Sequence, residues 1–269
     1  MSEKMKNNCL QISENVVKYI QYVYRERLAN TMQTSTPKYK RILLKLSGEA
    51  LSAGKDGILD FDFISEIAEV LKRCVAEGVQ VGIIVGAGNI WRGRQGGSMN
   101  RVRADSMGML ATTINALALQ DTFLEAGLDT KVMTAVEMYT FADKYVPRDA
   151  ISALEDGKIV VFGCGTGSPF FSTDTAAALR AAEIEADAVL MAKNIDGVYT
   201  ADPKLDPTAT RYDELTYKEI VSKELKALDL SAATFCMENR LTCYAFGLKD
   251  PMNIYRVVMG EKIGTEIHN

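Results

Sequence analysis

Ile159-Val160-Val161-Phe162-Gly163-Cys164-Gly165-Thr166-Gly167-Ser168-Pro169-Phe170-Phe171-Ser172-Thr173-Asp174-Thr175-Ala176-Ala177-Ala178-Leu179-Arg180 passes from an apolar run, through a loop crowded with hydroxyls, into a stretch of strong helix formers. A short apolar run bounded by glycines reads as a buried strand. Alanine, leucine and arginine after Ser172-Thr173-Asp174 read as a helix with a capping residue at its start. A strand followed by a hydroxyl-rich turn and a helix N-terminus is a ready anion site. Phe170 and Phe171 add a flat apolar wall of the kind a base or sugar needs. The segment therefore suits a phosphorylated, partly apolar small molecule.

The same beat repeats on both sides. Ile42–Leu46 reads as a strand ending in Ser47-Gly48, and Phe61–Glu77 as a helix stopping at Gly78. Val79–Val85 reads as a buried strand that ends in Gly86-Ala87-Gly88-Asn89. Asp105–Ala126 reads as a long helix, Lys131–Thr134 as a strand, Pro147–Glu155 as a helix with proline near its start, and Lys158–Phe162 as a strand. Thr173–Glu185 reads as a helix and Ala188–Ala192 as a strand. Helical patterns are expected around Tyr217–Leu225 and Ala232–Phe246, and a late strand at Asn253–Met259. Strand, glycine turn and helix in alternation imply an α/β fold with a mostly parallel sheet covered on both faces. Ligands of such sheets bind at the carboxyl ends of the strands, where the glycine turns fall.

Bulk properties narrow the function. The chain has 269 residues, 47% of them hydrophobic, and a net charge of -4. That charge argues against bulk nucleic-acid binding. Apolar runs such as Val81–Val85 are too short to span a membrane, and the N-terminus lacks a signal-peptide pattern; a cytoplasmic location is the expectation. Five cysteines (Cys9, Cys74, Cys164, Cys236, Cys243) contain no C-x-x-C pair, so neither a disulfide framework nor a zinc site is suggested. The only histidine is His268, which leaves Lys, Arg, Asp and hydroxyls to carry any chemistry. Residues 1–37 form a separate extension. They fit either a short amphipathic helix that docks on the body or a neighbour, or an extension outside the native product, with Met32 as its start.

Several side chains at the strand ends carry candidate chemistry. Lys45 lies within an apolar strand, where an ammonium is costly unless an anion meets it; the alternative is a strand-edge lysine reaching water. Gly48 and Gly88 allow backbone N–H groups to approach a phosphate, and Arg92 supplies a planar fork of donors; a plain tight turn is the alternative. No G-x-x-x-x-G-K-[ST] loop is present. Asp105 and Asp174 each read either as a helix cap or as a working carboxylate, Asp105 toward ribose hydroxyls and Asp174 toward Lys45. Asp196-Gly197 and Asp202-Pro203 read as ordinary turn pairs; the alternative is that Tyr199 stacks on a purine, with Asn194 and Asp202 near ribose or adenine.

Lys45-Leu46-Ser47-Gly48-Glu49-Ala50-Leu51, Gly88-Asn89 with Arg92-Gly93, Met99–Val102 through Asp105–Leu110, Thr166–Asp174, Glu183–Asp187, Asp196–Pro203 and Arg256–Gly260 together resemble the bacterial uridylate (UMP) kinases of the amino-acid kinase superfamily, from about residue 38 to the C-terminus. The resemblance implies a single three-layer αβα sandwich, transfer of the ATP γ-phosphoryl group to UMP with Mg2+, and a homohexamer activated by GTP and inhibited by UTP. It implies that Lys45, Leu46, Ser47, Gly48, Gly88 and Arg92 meet ATP phosphates, and that Asn194, Tyr199 and Asp202 hold adenosine. Ala87, Asp105 and the loop Thr166, Gly167, Ser168, Pro169, Phe170, Phe171, Ser172 and Thr173 would hold UMP. Lys45, Arg92 and Asp174 would be catalytic, and Ala53, Gly54, Lys55, Asp56 and Gly57 would lie in a GTP-linked segment. Ala87 stands where many relatives have glycine, and Ser168 where some have asparagine. The rival expectations are another kinase on this fold, acting on an amino acid, a carbamate or an isoprenoid phosphate, and a non-catalytic nucleotide or oxyanion binder.

Overall fold

The backbone of the central strands alternates between two apolar layers, which fixes the architecture. In β1 (Arg41–Leu46), Ile42, Leu44 and Leu46 face one core, while Leu43 faces the other. Strand side chains point to opposite faces in turn, so a strand that is apolar at every position must be covered on both. A computed structural model describes residues 36–52, 57–92, 97–225 and 227–269. Pro37–Asn269 forms one compact unit. The two readings of the N-terminal extension, and the expected GTP-linked positions Ala53–Asp56, lie outside the described residues.

After β1 come a four-residue helix α1 (Gly48–Leu51), α2 (Phe61–Ala76), β2 (Gln80–Val85), α3 (Arg101–Glu125), β3 (Thr130–Thr134), β4 (Asp143–Lys144), α4 (Pro147–Glu155), β5 (Ile159–Gly163) and α5 (Thr173–Glu183). They are followed by β6 (Ala188–Lys193), β7 (Glu214–Thr216), α6 (Tyr217–Ser222), α7 (Leu230–Glu238), β8 (Thr242–Gly247), α8 (Met252–Val258) and β9 (Thr265–His268). The strands form one sheet in the order β4-β3-β5-β2-β1-β6-β8-β9-β7. All neighbours are parallel except β8 and β9. Residues of α2, α3 and α8 cover the face of Leu44; residues of α4, α5, α6 and α7 cover the face of Leu43. Each fully buried Leu or Ile in these layers stabilises the fold by about 1.5–3 kcal/mol.

Two expected elements are different in kind. Ala232–Phe246 is not one helix: α7 ends near Asn239, Arg240 takes a left-handed conformation with φ 54°, and the chain returns as β8. A left-handed residue commonly ends a helix, and a short buried strand cannot be told from a buried helix by periodicity. Asn253–Met259 is helix α8 rather than a strand. Ile254, Val257 and Val258 fall at helical spacing and pack into the core beside α2, which overrides the β-preference of their branched side chains. The short strands β4, β7 and β9 carry no strong pattern and are not evident from the sequence.

The topology places β1 between β2 and β6. The loops leaving β2, β1 and β6 therefore lie side by side at the carboxyl edge, with β1 in the middle.

Candidate active site

Lys45 sits one residue before the end of β1 and points toward α5. Its Nζ lies 3.1 Å from Asp174 Oδ1, with the two side chains 13% and 20% exposed. The helix start explains why this carboxylate is available. Ser172, not Asp174, caps α5, accepting the Thr175 N–H at 3.0 Å. Asp174 is the second helical residue, so its side chain is left for Lys45. Ser172 Oγ in turn donates to Asp229, and Thr175 Oγ1 donates to the same carboxylate at 3.2 Å. Asp229 also caps α7 through the Ala232 N–H at 2.9 Å. It thus ties two helix starts beneath the lysine. Its union with Ser172 joins residues far apart in the chain, a contact that no local pattern encodes.

On the β2 side, three turns converge. A Cβ added to Gly48 would stand 2.6 Å from Gly88 N and 2.7 Å from Gly86 O. Only glycine lets the start of α1 press against the turn after β2. Leu46 is fully buried, so only its main chain faces this edge; its carbonyl accepts the Gly86 N–H at 2.9 Å. Ser47 Oγ caps α1 by accepting the Ala50 N–H at 3.2 Å. Asn115, a buried amide in α3, donates to Gly86 O at 2.8 Å and to Asn89 Oδ1 at 2.9 Å. It fixes the Gly86-Ala87-Gly88 turn from below, and sequence reading missed it because an asparagine inside a long helix has no signature of its own. Asn115→Leu leaves the Gly86 carbonyl and the Asn89 amide without this partner and is expected to lower unfolding free energy by about 1–3 kcal/mol in denaturant titration.

Arg92 forms an ion pair with Glu49, at the rim of a cavity of about 500 Å3. Ala87, Gly88, Asp105, Thr166, Ser168 and Phe170 line the same space, as do Phe171, Ser172 and Thr173. Asp105 does not open its helix: α3 begins at Arg101, with Asn100 as cap. Asp105 lies in the second turn, where its oxygens accept Arg101 Nε at 2.8 Å and Oδ2 accepts the Phe170 N–H at 2.8 Å. It staples the loop after β5 to α3 and still presents lone pairs to the cavity. That loop is bent by left-handed residues, Cys164 at φ 63°, Gly167 at 82° and Phe170 at 72°. Gly167 packs against Ala135, and neither it nor Pro169 lines the cavity. Phe170 and Phe171 are 64% and 57% exposed, with the Arg101 guanidinium 5.7 Å above the Phe170 ring.

A second cavity, of about 660 Å3, opens beyond β6. Asn194, Tyr199 and Asp202 line it, together with Ile195, Lys193 and Leu225. Tyr199 Oη donates to Asp196 at 2.8 Å, and Asp202 Oδ1 accepts the Lys204 N–H at 2.9 Å in a local turn. Gly88 and Arg92 belong to the first cavity and Asn194, Tyr199 and Asp202 to the second. Lys45, Leu46, Ser47, Gly48 and Asp174 line neither cavity; the strand order sets Lys45, with Asp174 beside it, on the strand between β2 and β6, whose following loops contribute to the two.

The sequence profile of the amino acid kinase family matches residues 40–246. The chain belongs to the amino acid kinase family. Among solved structures, this chain is similar to the UMP kinase of Bacillus anthracis, with 35% identity over 86% of this chain and 96% of the other, at a TM-score of 0.83. It is similar to the UMP kinase of Ureaplasma parvum at 35% identity, over 86% of this chain and 100% of the other, with a TM-score of 0.82. The uridylate kinase of Archaeoglobus fulgidus shares 31% identity over 84% and 99% of the two chains, with a TM-score of 0.65.

Proposed function

We propose that this chain transfers the γ-phosphoryl group of ATP to UMP, giving ADP and UDP. One observation carries the reading: a lysine–aspartate pair at 3.1 Å lies on the strand flanked by β2 and β6, whose following loops contribute to two cavities, each large enough for part of a nucleotide. The likeness to two UMP kinases over nearly their whole length favours UMP as acceptor.

In this reading UMP occupies the cavity of Asp105 and Thr166–Thr173, with Asp105 toward the ribose and the phenylalanines beside the base. ATP occupies the cavity of Asn194, Tyr199 and Asp202, with its phosphates running toward Lys45 and Gly48. A UMP phosphate oxygen forms a bond to the γ-phosphorus as the bond to the β,γ-bridging oxygen breaks, and ADP leaves with that electron pair. A phosphate monoester has its second pKa at about 6, so the attacking oxygen is already ionised and no protein base is needed. The obstacle is repulsion, about 4 kcal/mol per charge pair at about 4 Å and an effective dielectric of about 20. Lys45, Arg92 and the N-terminus of α5 offset it. Mg2+ bound with the donor nucleotide would need only one or two protein carboxylates, and Asp174, beside Lys45, would be the one to hold it. Such an ion would neutralise charge on the transferring group.

The finer parts of the reading are a cytoplasmic enzyme of pyrimidine nucleotide synthesis, GTP activation, UTP inhibition and a homohexamer. Among the described residues no helix is long and apolar enough to cross a membrane. Self-association is supported by an exposed apolar stripe on α3, formed by Met107, Leu110 and Ile114, because monomers rarely leave such faces bare.

The test is ADP release with UMP, CMP, glutamate or aspartate offered in turn. Release dependent on UMP is expected. Release without acceptor, or with glutamate or aspartate instead, overturns the assignment, and no release with any acceptor favours a non-catalytic binder.

A further inference from the structure

Lys193 closes β6, and its register puts it on the same face as the central lysine. Lys45 pairs with Met191 across β1 and β6. Side chains repeat every second residue along a strand, so Lys193 projects to the face of Lys45, toward α5 and α7. Its ammonium is part-buried, lines the cavity beyond β6 and donates to the Ala227 carbonyl. Lys45 has a carboxylate at 3.1 Å. Lys193 makes no ion pair among the described residues, and a single neutral carbonyl satisfies one of its three donors.

We propose that Lys193 is a second phosphate-binding cation of the donor site, exchanging the Ala227 carbonyl for a phosphate oxygen of the bound nucleotide. The proposal rests on the reading of this cavity as the ATP side of a kinase. A phosphate chain running from Tyr199 and Asp202 toward Lys45 must cross the end of β6, where Lys193 stands. The electrostatics agree. Burial disfavours the charged form, Asp174 and Asp229 favour it, and Lys45 repels it, leaving the ammonium below its ordinary range. An anion arriving between the two lysines relieves both the desolvation and the repulsion, so the site is selective for a phosphorylated ligand over a bare nucleoside.

The experiment compares calorimetric binding of adenosine and of a non-hydrolysable ATP analogue to the wild-type protein and to Lys193→Gln. Glutamine removes the charge while keeping an N–H donor within reach of Ala227. The analogue is expected to bind about 10- to 100-fold more weakly to the variant, as loss of a charged hydrogen bond predicts, with adenosine affinity within about twofold of wild type. Equal loss of both ligands, or unchanged analogue binding, overturns the proposal. If Lys193→Gln does not yield folded protein, Lys193→Arg decides. The retained charge must keep analogue binding within about tenfold of wild type, and a folded Arg variant that holds adenosine but not the analogue overturns the assignment. A wild-type protein that binds no analogue at all refutes the kinase reading itself, whatever the variants do.

Discussion

Lys45→Ala is expected to lower kcat for UMP phosphorylation about 10²–10³-fold, the loss seen when a preorganised donor to a transition-state oxyanion is removed. The effect follows from position. Lys45 lies on the middle strand, between the turn after β2 and the loop after β6, with its ammonium held by Asp174 and 13% of its side chain exposed. It reaches the place where charge moves from the acceptor to the bridging oxygen. Because that interaction is strongest in the transition state, kcat and kcat/KM fall together while KM for either substrate changes little. Steady-state kinetics with each substrate varied in turn measures this, and turnover within a few-fold of wild type removes Lys45 from the chemistry.

Asp174→Ala is expected to lower kcat by about 10²-fold through the loss of lysine orientation and of one carboxylate near the phosphates. Asp174 is not the cap of α5, since Ser172 accepts the Thr175 N–H. The variant therefore keeps its helix start and loses no more than about 1 kcal/mol of stability from capping. The two residues work as a unit, so the double variant Lys45→Ala/Asp174→Ala falls no more than about tenfold below the worse single one. Fully additive losses in that cycle would show that the two side chains act independently.

The layered fold is legible because its causes are local. Ile42–Leu46, Val81–Val85 and Ile159–Phe162 are apolar at consecutive positions, and only a sheet covered on both faces hides both sides of such a strand. The glycine turns after them mark the ligand edge for the same reason: close approach of backbones demands them, as Gly48 against Gly88 shows. Periodicity fails where burial hides it. β8 follows α7 after a three-residue break, and both are apolar, so the boundary rests on the left-handed Arg240 alone. The helix α8 is set by its packing beside α2, a partner far away in sequence.

Within the site, the residues that face ligands are those that stand out by type, such as a lysine in a strand, paired phenylalanines and an arginine after a glycine turn. The residues that hold them are not visible in the sequence. Asn115 under the β2 turn, Asp229 under the start of α5 and Glu49 beside Arg92 act through partners that only folding brings near. The reading of Asp105 shows the limit of local rules. An aspartate before a long helix suggests a cap, yet Asn100 takes that role and Asp105 binds the loop after β5 instead.

A crystal structure with UMP and a non-hydrolysable ATP analogue bound together tests the central claim most directly. With the two ligands on opposite sides of Lys45, a UMP phosphate oxygen is expected about 3–3.5 Å from the γ-phosphorus and in line with the bridging oxygen, with the ammonium against the γ-phosphate. Both nucleotides in one cavity, or phosphates facing away from Lys45 and from each other, would contradict it.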